Sequence, residues 1–501
     1  GELAMSSRER VRERMASIDT AWLRMDRPAN LMQIIGVMVF AGRLDPERFK
    51  RTIAKRLLRY GRFRQIAELD SDGAWWVDDD DFDLDLHVRR TVLPAPGGKR
   101  ELQKFVAEMA SEPLNPSRPR WEYQLVETAD GDSAVVVRVH HAIADGIALI
   151  GVLHSLTDDT PDAPEAGVRT AGSSKRAAKK TEGDEKDTDD GDLFWSIIAE
   201  PLTDLALASI RLGGTLWGHY QGLRNDPGTL LDYASVARAI ANEVGKLALM
   251  PSDSQTRFKG RPGTVKRVAW SDPISLPEVK AVGKVLGCSV NDLLLSSVAG
   301  ALGGYLQDKG DATAGVDIRA MVPVNLRSAD RKGELGNHFG LVALELPVGI
   351  ENPLERLYTT KARMEALKSG YQAQVTYGLL GLVGMAPKFL QQQVLDLVAS
   401  KATAVMTNVP GPQAPRYLAG VKLKQQMFWV PQTSNIGIGV SILSYDGKVQ
   451  FGLITDKGLV DDPERIVERF SIEFEKLLLL VLMEPWSRLS DPDAVENALA
   501  E

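Results

Sequence analysis

The sequence predicts an α/β (α+β) protein built from two lobes, each a mixed sheet flanked by helices. At 501 residues the chain exceeds the usual size of a single hydrophobic core, so two domains of roughly 200 residues each are expected. Segments typical of strands and helices alternate in both halves, and a polar segment at residues 160–192 separates the halves. We therefore expect lobes at residues 5–159 and 193–501, with the functional site in a cleft between them.

The first lobe is predicted from two strand-and-helix pairs. An apolar segment at residues 33–40 precedes an amphipathic helix at residues 43–59. A second apolar, β-branched segment, SAVVVRVHH at residues 133–141, is followed by Asp145, which opens a helix with one apolar face. The residues of that face are Ile147, Ile150, Leu153 and Leu156. This pattern indicates a buried strand, a tight loop and a helix.

The segment at residues 160–192 is predicted to be a disordered linker. Pro161 and Pro164 open a tract rich in Ala, Gly and Ser, and a basic cluster and a dense acidic run follow. Such a segment lacks the apolar residues needed to form a core. The basic cluster could alternatively tether the chain to an anionic membrane, but the acids at residues 182–192 lie close enough to cancel much of its field.

The second lobe is predicted to begin with an apolar helical segment at residues 193–250, which carries Trp195 and Trp217. This segment is either a core helix or a surface that docks on lipid. Strands and helices alternate further along the chain. The strands are predicted at residues 265–270, 318–324, 436–443 and 448–454, and the helices at residues 291–306 and 463–483. The dipeptide Asp446-Gly447 predicts a tight hairpin turn between the last two strands.

Composition argues against several classes of protein. The net charge of −7, with basic residues scattered among acids, argues against a nucleic-acid partner. The single cysteine, Cys288, excludes a disulfide framework and a cysteine-based metal cluster, and it fits a reducing cytoplasm. The longest unbroken apolar run, at residues 477–483, is much shorter than the roughly 20 residues of a membrane span, and no secretory signal is visible. We therefore expect a cytoplasmic protein whose contact with a membrane is peripheral.

Two of the six histidines stand together at the end of the strand predicted at residues 133–141, in the sequence HHAIADG (residues 140–146). Transfer of an acyl group to an alcohol needs a base that accepts the hydroxyl proton, and neutral imidazole suits this task near neutral pH. A lone histidine at a strand end is more often a hydrogen-bonded core residue. The pair His140-His141, followed by Asp145-Gly146 at fixed spacing, favours catalysis instead.

The HHAIADG segment resembles the HHxxxDG motif of the bacterial wax ester synthase/diacylglycerol acyltransferase family at every fixed position. That family shares HxxxDG with chloramphenicol acetyltransferase, carnitine acyltransferases and peptide-synthetase condensation domains. Other motifs follow in the family's order, and the likeness covers about residues 18–456. They are Pro119-Arg120-Trp121 (PLW in the family), Asn291-Asp292, the segment 322–327 around MVPV, Gly336-Asn337 and TNVPGP at residues 407–412. The superfamily's DFGWG element is absent, and residues 435–439 stand at a comparable position.

The resemblance implies two chloramphenicol acetyltransferase-like lobes with an active-site tunnel between them. It makes His141 the general base and assigns His140 to hydrogen bonding within the core. Asp145 is expected to hold the loop through a structural ion pair, for which Arg319 is a candidate partner. Gly146 is expected to let the backbone turn tightly at the start of the helix.

Further candidate site residues follow from their positions in these motifs. Asn291 is expected at the start of a helix, either as its N-cap or as a donor to the substrate's thioester oxygen. Ala144, inside the HHAIADG segment, is a candidate for tuning substrate selectivity. Trp121, Thr407 and Asn408 are candidate substrate contacts; the alternative interpretations are a core aromatic for Trp121 and a rigid turn for the other two.

The resemblance implies an O-acyltransferase that transfers a long-chain fatty acyl group from acyl-CoA to diacylglycerol or a fatty alcohol, with no cofactor or metal. Both substrates would be held together, since no covalent acyl-enzyme is required. The enzyme is expected to associate peripherally with the inner membrane or lipid inclusions. Two alternatives are a condensation or acyltransfer domain that takes its acyl group from a carrier protein, and a non-catalytic lipid-droplet-binding protein.

Overall fold

A computed structural model of the chain describes residues 12–144, 152–165, 248–249, 251–325, 339–368, 400–432 and 436–500. Two large sheets organise these residues into two lobes, each with its own hydrophobic core. The mixed α/β architecture and the two lobes expected from the sequence are thus confirmed. The predicted linker beyond residue 165 and nearly all of the predicted helix at residues 193–250 lie outside the described residues.

The sheet of the first lobe has six strands. In spatial order they are β13 (Tyr417–Leu418), β14 (Val421–Trp429), β2 (Gln33–Phe40), β7 (Ser133–His140), β6 (Trp121–Glu127) and β5 (Val88–Val92). The helices of this lobe are α1 (Ser17–Met25), α2 (Pro46–Arg56) and α3 (Lys99–Ser111), and a small sheet is formed by β1 (Arg12–Arg14), β4 (Gly73–Asp78) and β3 (Gln65–Asp70). Strand β7 lies in the middle of the large sheet.

The position of β7 explains its unbroken apolar sequence. Val135, Val137 and Val139 pack into the main core of the first lobe, whereas the alternating residues Ala134 and Val136 pack into a separate cluster on the other face of the sheet. A strand covered on both faces has no solvent-exposed side, so its sequence shows no polar alternation. The strand carries the two histidines of HHAIADG into a fully buried setting.

The sheet of the second lobe has seven strands. Six follow the order β11 (Phe339–Leu346), β10 (Ile318–Asn325), β12 (Ala404–Pro410), β15 (Ile438–Tyr445), β16 (Lys448–Asp456) and β8 (Lys266–Trp270), and β9 (Ile274–Ser275) also pairs with β16. Its helices are α4 (Leu276–Leu286), α5 (Val290–Asp308), α6 (Pro353–Lys368), α7 (Pro463–Met483) and α8 (Pro492–Ala500). Helices α5 and α7 pack on each other and supply much of the core of this lobe.

A hairpin from late in the chain joins the sheet of the first lobe, and we call this arrangement the hairpin exchange. Strands β13 and β14 come late in the chain, yet β14 pairs with β2 and so extends the sheet of the first lobe. Met427 and Trp429 of β14 join Trp270 of β8 in a cluster that also contains residues of β2 and β7, so this cluster links the lobes. The boundaries expected from the sequence did not include this exchange, which places residues 417–429 in the sheet of the first lobe.

Several elements agree with the sequence predictions. The strand Gln33–Phe40 and the helix Pro463–Met483 have the predicted bounds. The hairpin of β15 and β16 has a two-residue turn, in which Asp446 and Gly447 have φ angles of 48° and 71°. Both values lie in the left-handed region, which Asp-Gly adopts in tight hairpin turns. The hairpin prediction is therefore confirmed, although each strand extends two residues beyond its predicted end.

Among the described residues, no single helix combines the length and the apolar composition of a membrane span. The pair α4 and α5 meets both criteria only when taken together, and the two helices meet at an angle of 98°. Most of the residues of α5 are buried in the core of the second lobe.

Candidate active site

The two histidines of HHAIADG lie where β7 ends. The last residue of β7, His140, pairs with Gln33 at the start of β2. The chain then turns, and the amide of Ile143 donates to the carbonyl oxygen of His140 at 3.0 Å. Both imidazoles are buried, with exposed fractions of 2% for His140 and 3% for His141. A proton transfer at this site would therefore take place away from bulk water.

The ring of His140 is fully engaged in hydrogen bonds. Its Nδ1 accepts from the backbone N–H of Ala142 at 3.0 Å, so the proton resides on Nε2, which faces Oδ2 of Asp26 at 3.2 Å. Burial lowers the pKa of His140, and the hydrogen bond and charge of Asp26 offset only part of this effect. His140 is therefore neutral near neutral pH and has no nitrogen left for a substrate proton.

His141 is positioned by its backbone and by a ring contact. Its backbone N–H donates to the carbonyl oxygen of Met32 at 2.7 Å. Its imidazole stacks on the indole of Trp22, with ring centroids 4.0 Å apart and an angle of 29° between the planes. These contacts come from α1 and from the segment that leads into β2. Helix α1 and that segment therefore fix the orientation of His141.

Asp26, at the end of α1, links these elements. It accepts a hydrogen bond from the backbone N–H of Met32 at 3.0 Å and from Arg120 at 3.4 Å, in addition to its contact with His140. Burial alone would raise the pKa of this carboxyl group, but the bonds from His140 and Met32 and the charge of Arg120 bring its pKa below the ordinary value. Asp26 is therefore ionised, and it contacts both His140 and Met32, the residue whose carbonyl oxygen accepts from the backbone N–H of His141.

Sequence analysis did not identify Trp22 or Asp26. One local signal was available for Asp26, because a carboxylate at the C-terminus of a helix is unfavourable for the helix dipole and so suggests a function outside the helix. No local pattern distinguishes Trp22 from any other apolar residue of an amphipathic helix. The contacts that place both residues at the site are with His141 and His140, more than 100 positions away in the sequence.

The remaining residues of HHAIADG divide into two groups. Ala144 is fully buried and packs in the core of the first lobe. Asp145 and Gly146 lie outside the described residues, so their predicted roles stay predictions. The guanidinium of Arg319 contacts Glu345 at 2.9 Å and the carbonyl oxygens of Pro251 and Lys401 at 2.8 Å. Within the described part of the chain, Arg319 thus connects strand β11 with the segments around Pro251 and Lys401 of the second lobe.

Trp121 is held within an aromatic cluster. Its indole N–H donates to the carbonyl oxygen of Phe63 at 2.8 Å, and its ring stacks on His87 with centroids 4.5 Å apart. The side chain is buried in the core of the first lobe. These contacts favour the interpretation of Trp121 as a core aromatic.

Asn291 and Asn408 meet in the second lobe. The prediction of Asn291 as an N-cap is wrong, because Ser289 caps α5 and its side chain accepts from the backbone N–H of Asp292 at 3.1 Å. Asn291 instead lies in the first turn of α5, where its Oδ1 accepts from Nδ2 of Asn408 at 2.7 Å. The sequence gives several polar residues at this helix start, and hydrogen bonding selects Ser289 as the cap.

The two asparagines line one crevice. Its other lining residues come from α4, α5, β12, β15 and β16, and they are Leu276, Lys280, Val290, Leu294, Pro410, Ile442, Ser444 and Val449. The hydroxyl of Thr407, one residue before Asn408, points to the carbonyl oxygen of Val440 at 3.4 Å. The crevice thus combines two buried amides with walls that are apolar except at Lys280 and Ser444, a lining that suits a polar group attached to an apolar chain.

Two family profiles match the sequence. The profile of the wax ester synthase/diacylglycerol acyltransferase catalytic domain matches residues 15–294, and the profile of the corresponding C-terminal domain matches residues 335–478. The chain belongs to the wax ester synthase/diacylglycerol acyltransferase family. The family and enzyme class predicted from HHAIADG are thereby confirmed, and the protein is an acyltransferase.

The similarity to curated relatives extends over most of the acyltransferase chain. A protein of Mycobacterium tuberculosis named as a diacylglycerol O-acyltransferase is 28% identical over 488 residues, which cover 93% of this chain and 90% of the relative. One of Mycobacterium bovis with the same type of name is 27% identical over 426 residues, covering 83% of this chain and 85% of the relative. The similarity therefore includes both lobes.

Solved structures share the fold of this acyltransferase. The wax ester synthase/diacylglycerol acyltransferase from Marinobacter aquaeolei VT8 superposes with a TM-score of 0.66 at 20% identity, covering 94% of this chain and 100% of that one. The first condensation domain of the calcium-dependent antibiotic synthetase gives a TM-score of 0.53 at 13% identity, with coverage of 96% and 97%. The predicted kinship with condensation domains is confirmed at the level of the fold.

The single cysteine of this acyltransferase is poorly suited to act as a nucleophile. Burial raises the pKa of the Cys288 thiol to about 12, so the group is protonated at neutral pH. Among the described residues, no group of three or more His, Cys, Asp or Glu side chains is arranged to hold a metal ion.

Proposed function

We propose that this acyltransferase transfers a long-chain fatty acyl group from acyl-CoA to diacylglycerol or a long-chain alcohol, with His141 as the general base. The products would be triacylglycerol or wax ester, together with CoA. The names of the relatives support the substrates. The observation that carries the assignment of the base is the hydrogen bonding of the paired histidines, because both ring nitrogens of His140 are engaged by Ala142 and Asp26.

The proposed reaction requires one proton transfer in each direction. His141 removes the proton of the acceptor hydroxyl while the hydroxyl oxygen attacks the thioester carbonyl carbon, which gives a tetrahedral oxyanion. The new C–O bond persists, the C–S bond breaks, and the imidazolium of His141 returns the proton to the departing thiolate. The products are an ester and the CoA thiol, and His141 is neutral again. Alignment of the two bound substrates would supply much of the rate.

The crevice of Asn291 and Asn408 is assigned to the acyl donor in this proposal. The hydrogen bond between the two side chains uses Oδ1 of Asn291 and does not involve its Nδ2, which in this proposal donates to the thioester oxygen. Thr407 lies on the same strand as Asn408, and Ala144 packs in the core of the first lobe three residues after His141. Asp145 and Gly146 are assigned to the structure of the loop that follows.

A direct assay tests the proposed reaction. We expect the purified protein to form ester and free thiol from palmitoyl-CoA with diolein or hexadecanol, and to need no carrier protein. Activity only with an acyl group bound to a carrier phosphopantetheine would favour the condensation-domain alternative. Lipid binding without turnover by any of these donors would favour the non-catalytic alternative.

A lipid surface is the proposed location of the acyltransferase, on the inner membrane or on lipid inclusions. The described residues contain one dense group of exposed large apolar side chains, which we call the α7 tip. It consists of Leu479, Leu482 and Met483 at the end of α7 and of Trp486 just beyond it. Leu482, Met483 and Trp486 have exposed fractions of 71%, 72% and 64%. The indole N–H of Trp486 donates to Val481 at 3.0 Å, which fixes the ring.

The α7 tip lies at the same end of the second lobe as the amide crevice. Helices α5 and α7 are antiparallel, because Lys309 after the end of α5 contacts Asp462 before the start of α7 at 2.9 Å. Further along, Glu473 of α7 packs against Gly300 of α5. Nine residues, or roughly 13.5 Å of helix, separate Glu473 from Leu482, and the same number separates Gly300 from Asn291. The α7 tip and Asn291 of the crevice therefore lie at the same height along the axes of the two helices.

Docking through the α7 tip is testable by flotation. We expect the double variant Leu482→Ser/Met483→Ser to bind phosphatidylcholine vesicles containing diolein at least about tenfold more weakly, since each side chain contributes on the order of 1.5 kcal/mol or more when it leaves water. The basic residues that flank the tip in sequence, Lys476 and Arg488, are paired with Glu473 and Glu484, so we expect binding to vesicles without anionic lipid.

The matched control is Val92→Ser on β5, an exposed apolar residue of the first lobe, and this variant should float like the wild type. Unchanged flotation of the double variant would refute the docking surface. A change in oligomeric state without a change in flotation would identify the α7 tip as a contact between copies of the chain.

A further inference from the structure

The backbone of His141 rests on a short turn, residues 26–32, which we call the support turn. The turn connects α1, which ends at Met25, directly to β2, which begins at Gln33. Two backbone hydrogen bonds between Arg27 and Asn30, of 3.3 and 2.9 Å, close it. The carbonyl oxygen of Met32 then accepts the N–H of His141 at 2.7 Å. A displacement of this turn would therefore displace the backbone of His141.

The first lobe holds the support turn through Asp26. Its Oδ1 accepts from the N–H of Met32, and its Oδ2 contacts Nε2 of His140. The same carboxylate thus binds the turn and the residue next to His141. This attachment is internal to the first lobe and would be retained in any relative arrangement of the two lobes.

The second lobe holds the support turn through Lys266, at the start of β8. Its Nζ donates to the carbonyl oxygen of Ala29 at 3.3 Å and lies 3.7 Å from Oδ2 of Asp456. The side chain of Lys266 is 8% exposed and that of Asp456 is fully buried. Asp456 itself is held in the second lobe by the backbone N–H groups of Gly263 at 2.7 Å and Gly458 at 2.9 Å.

Retaining a lysine at this position has an energetic cost. Burial lowers the pKa of Lys266, and the carboxylate of Asp456 compensates only in part. An apolar side chain would avoid that cost, so the ammonium group is expected to have a role besides packing. Among the described residues of the first lobe, the ammonium group contacts the carbonyl oxygen of Ala29 in the support turn, whereas the backbone N–H of Lys266 donates to Ser111 of α3 at 2.9 Å.

The lobes meet beside this contact. A narrow crevice there is lined from the first lobe by Asn30, Leu31, Gln33, Ile35 and Ala110, and by Lys266, Trp429, Val430, Pro431, Gln432 and Ile454 from later in the chain. Asn30 and Leu31 belong to the support turn. A relative movement of the lobes would therefore act on the turn at Ala29, three residues before the carbonyl group that binds His141.

We propose that Lys266 is a positioning residue, which ties the support turn to the second lobe so that His141 is aligned only when the two lobes are in register. The inference rests on the proposed role of His141 as the base. The base lies in the first lobe and the amide crevice in the second. The two lobes must therefore hold His141 and the bound thioester at a fixed distance for the reaction to occur. A misplacement of about 1 Å in such a site can lower a rate about 100-fold.

The first test is Lys266→Met, which removes the ammonium group and keeps the length of the chain. We expect kcat to fall about 10- to 100-fold, whereas KM for palmitoyl-CoA changes less than about twofold. Lys266→Arg, which can still donate to Ala29, should recover much of the lost kcat. The matched control is Lys259→Met, because Lys259 also donates to a carbonyl group, that of Ser400 at 3.0 Å, but within the second lobe.

The second test does not depend on activity. The N–H of His141 is protected by Met32, so its hydrogen exchange, measured on peptides that cover residues 138–144, reports on the support turn. We expect exchange at this amide to speed up about tenfold or more in Lys266→Met and to stay unchanged in Lys259→Met. If Lys266→Met is poorly folded, Lys266→Arg carries the test: exchange at this amide should match the wild type, and clearly faster exchange in a folded Lys266→Arg protein would contradict the role of the hydrogen bond to Ala29.

Unchanged exchange and unchanged kcat in Lys266→Met would overturn the inference. So would a loss of kcat equal to the loss of folded protein. Failure of the proposed function gives a different result: the wild type would form no ester, or His141→Gln would keep full activity, while the exchange measurement would still show whether Lys266 holds the turn.

Discussion

His141→Gln is expected to lower kcat by about 10²- to 10⁴-fold, the usual contribution of a positioned general base. Glutamine keeps a side chain of similar size beside Trp22 and keeps the backbone hydrogen bond to Met32, but its amide does not accept a proton at neutral pH. KM for acyl-CoA should change little, because the substitution removes an interaction with the reacting hydroxyl. Initial rates of ester formation from palmitoyl-CoA and hexadecanol measure the effect.

Two controls separate chemistry from folding for this variant. His154→Gln replaces an exposed histidine that follows HHAIADG in sequence, and this variant should keep the wild-type kcat. The melting temperatures of both variants should lie within a few degrees of the wild type, since neither removes a large buried apolar group. Full activity of His141→Gln would eliminate His141 as the base.

Glu473→Ala is expected to lower the free energy of unfolding by about 3–5 kcal/mol. Glu473 on α7 pairs with Arg356 on α6, and their side chains are only 3% and 6% exposed. Gly300 of α5 leaves space for the pair, because a methyl group at that position would lie 2.6 to 2.7 Å from both side chains. Removal of the carboxylate leaves the guanidinium of Arg356 buried without its counter-charge. Equilibrium unfolding in urea measures the change in the free energy of unfolding.

The double variant Arg356→Met/Glu473→Leu is expected to recover most of this loss, because it removes both charges together. Asp311→Asn serves as the matched control for an exposed pair. The carboxylate of Asp311 contacts Arg257, and both side chains are more than one-third exposed, so the cost should be below about 1 kcal/mol. A double variant as unstable as Glu473→Ala would contradict the explanation by an unpaired buried charge.

The elements predicted most accurately are those specified by local sequence. β2 and α7 have their predicted bounds, and the hairpin of β15 and β16 turns at Asp446-Gly447. In each case the signal is contained in a short window, either an apolar pattern or a dipeptide that favours left-handed φ angles. The start of α5 shows where such reasoning fails, because Ser289, Asn291 and Asp292 are all suitable for caps and only the observed hydrogen bonds distinguish them.

The hairpin exchange could not be predicted from local patterns. β14 has the composition of an ordinary strand, and nothing within it indicates that its partner is β2, nearly 400 residues earlier. Pairing between distant strands depends on the packing of both lobes, which local propensity does not encode. The exchange matters for function because β14 supplies Trp429 to the crevice beside Lys266.

The fold class, the family and the strand that carries HHAIADG could be predicted from the amino-acid sequence, because each depends on residue types at fixed spacing. The difference between the two histidines became visible only in the folded protein. His140 and His141 are adjacent and chemically identical, yet His140 is bound by Asp26 and Ala142, whereas His141 stacks on Trp22. The tertiary structure also revealed the support turn, where Asp26 and Lys266 act from opposite lobes. The physical reason is that hydrogen bonding and burial depend on which distant groups the fold brings within about 3 Å.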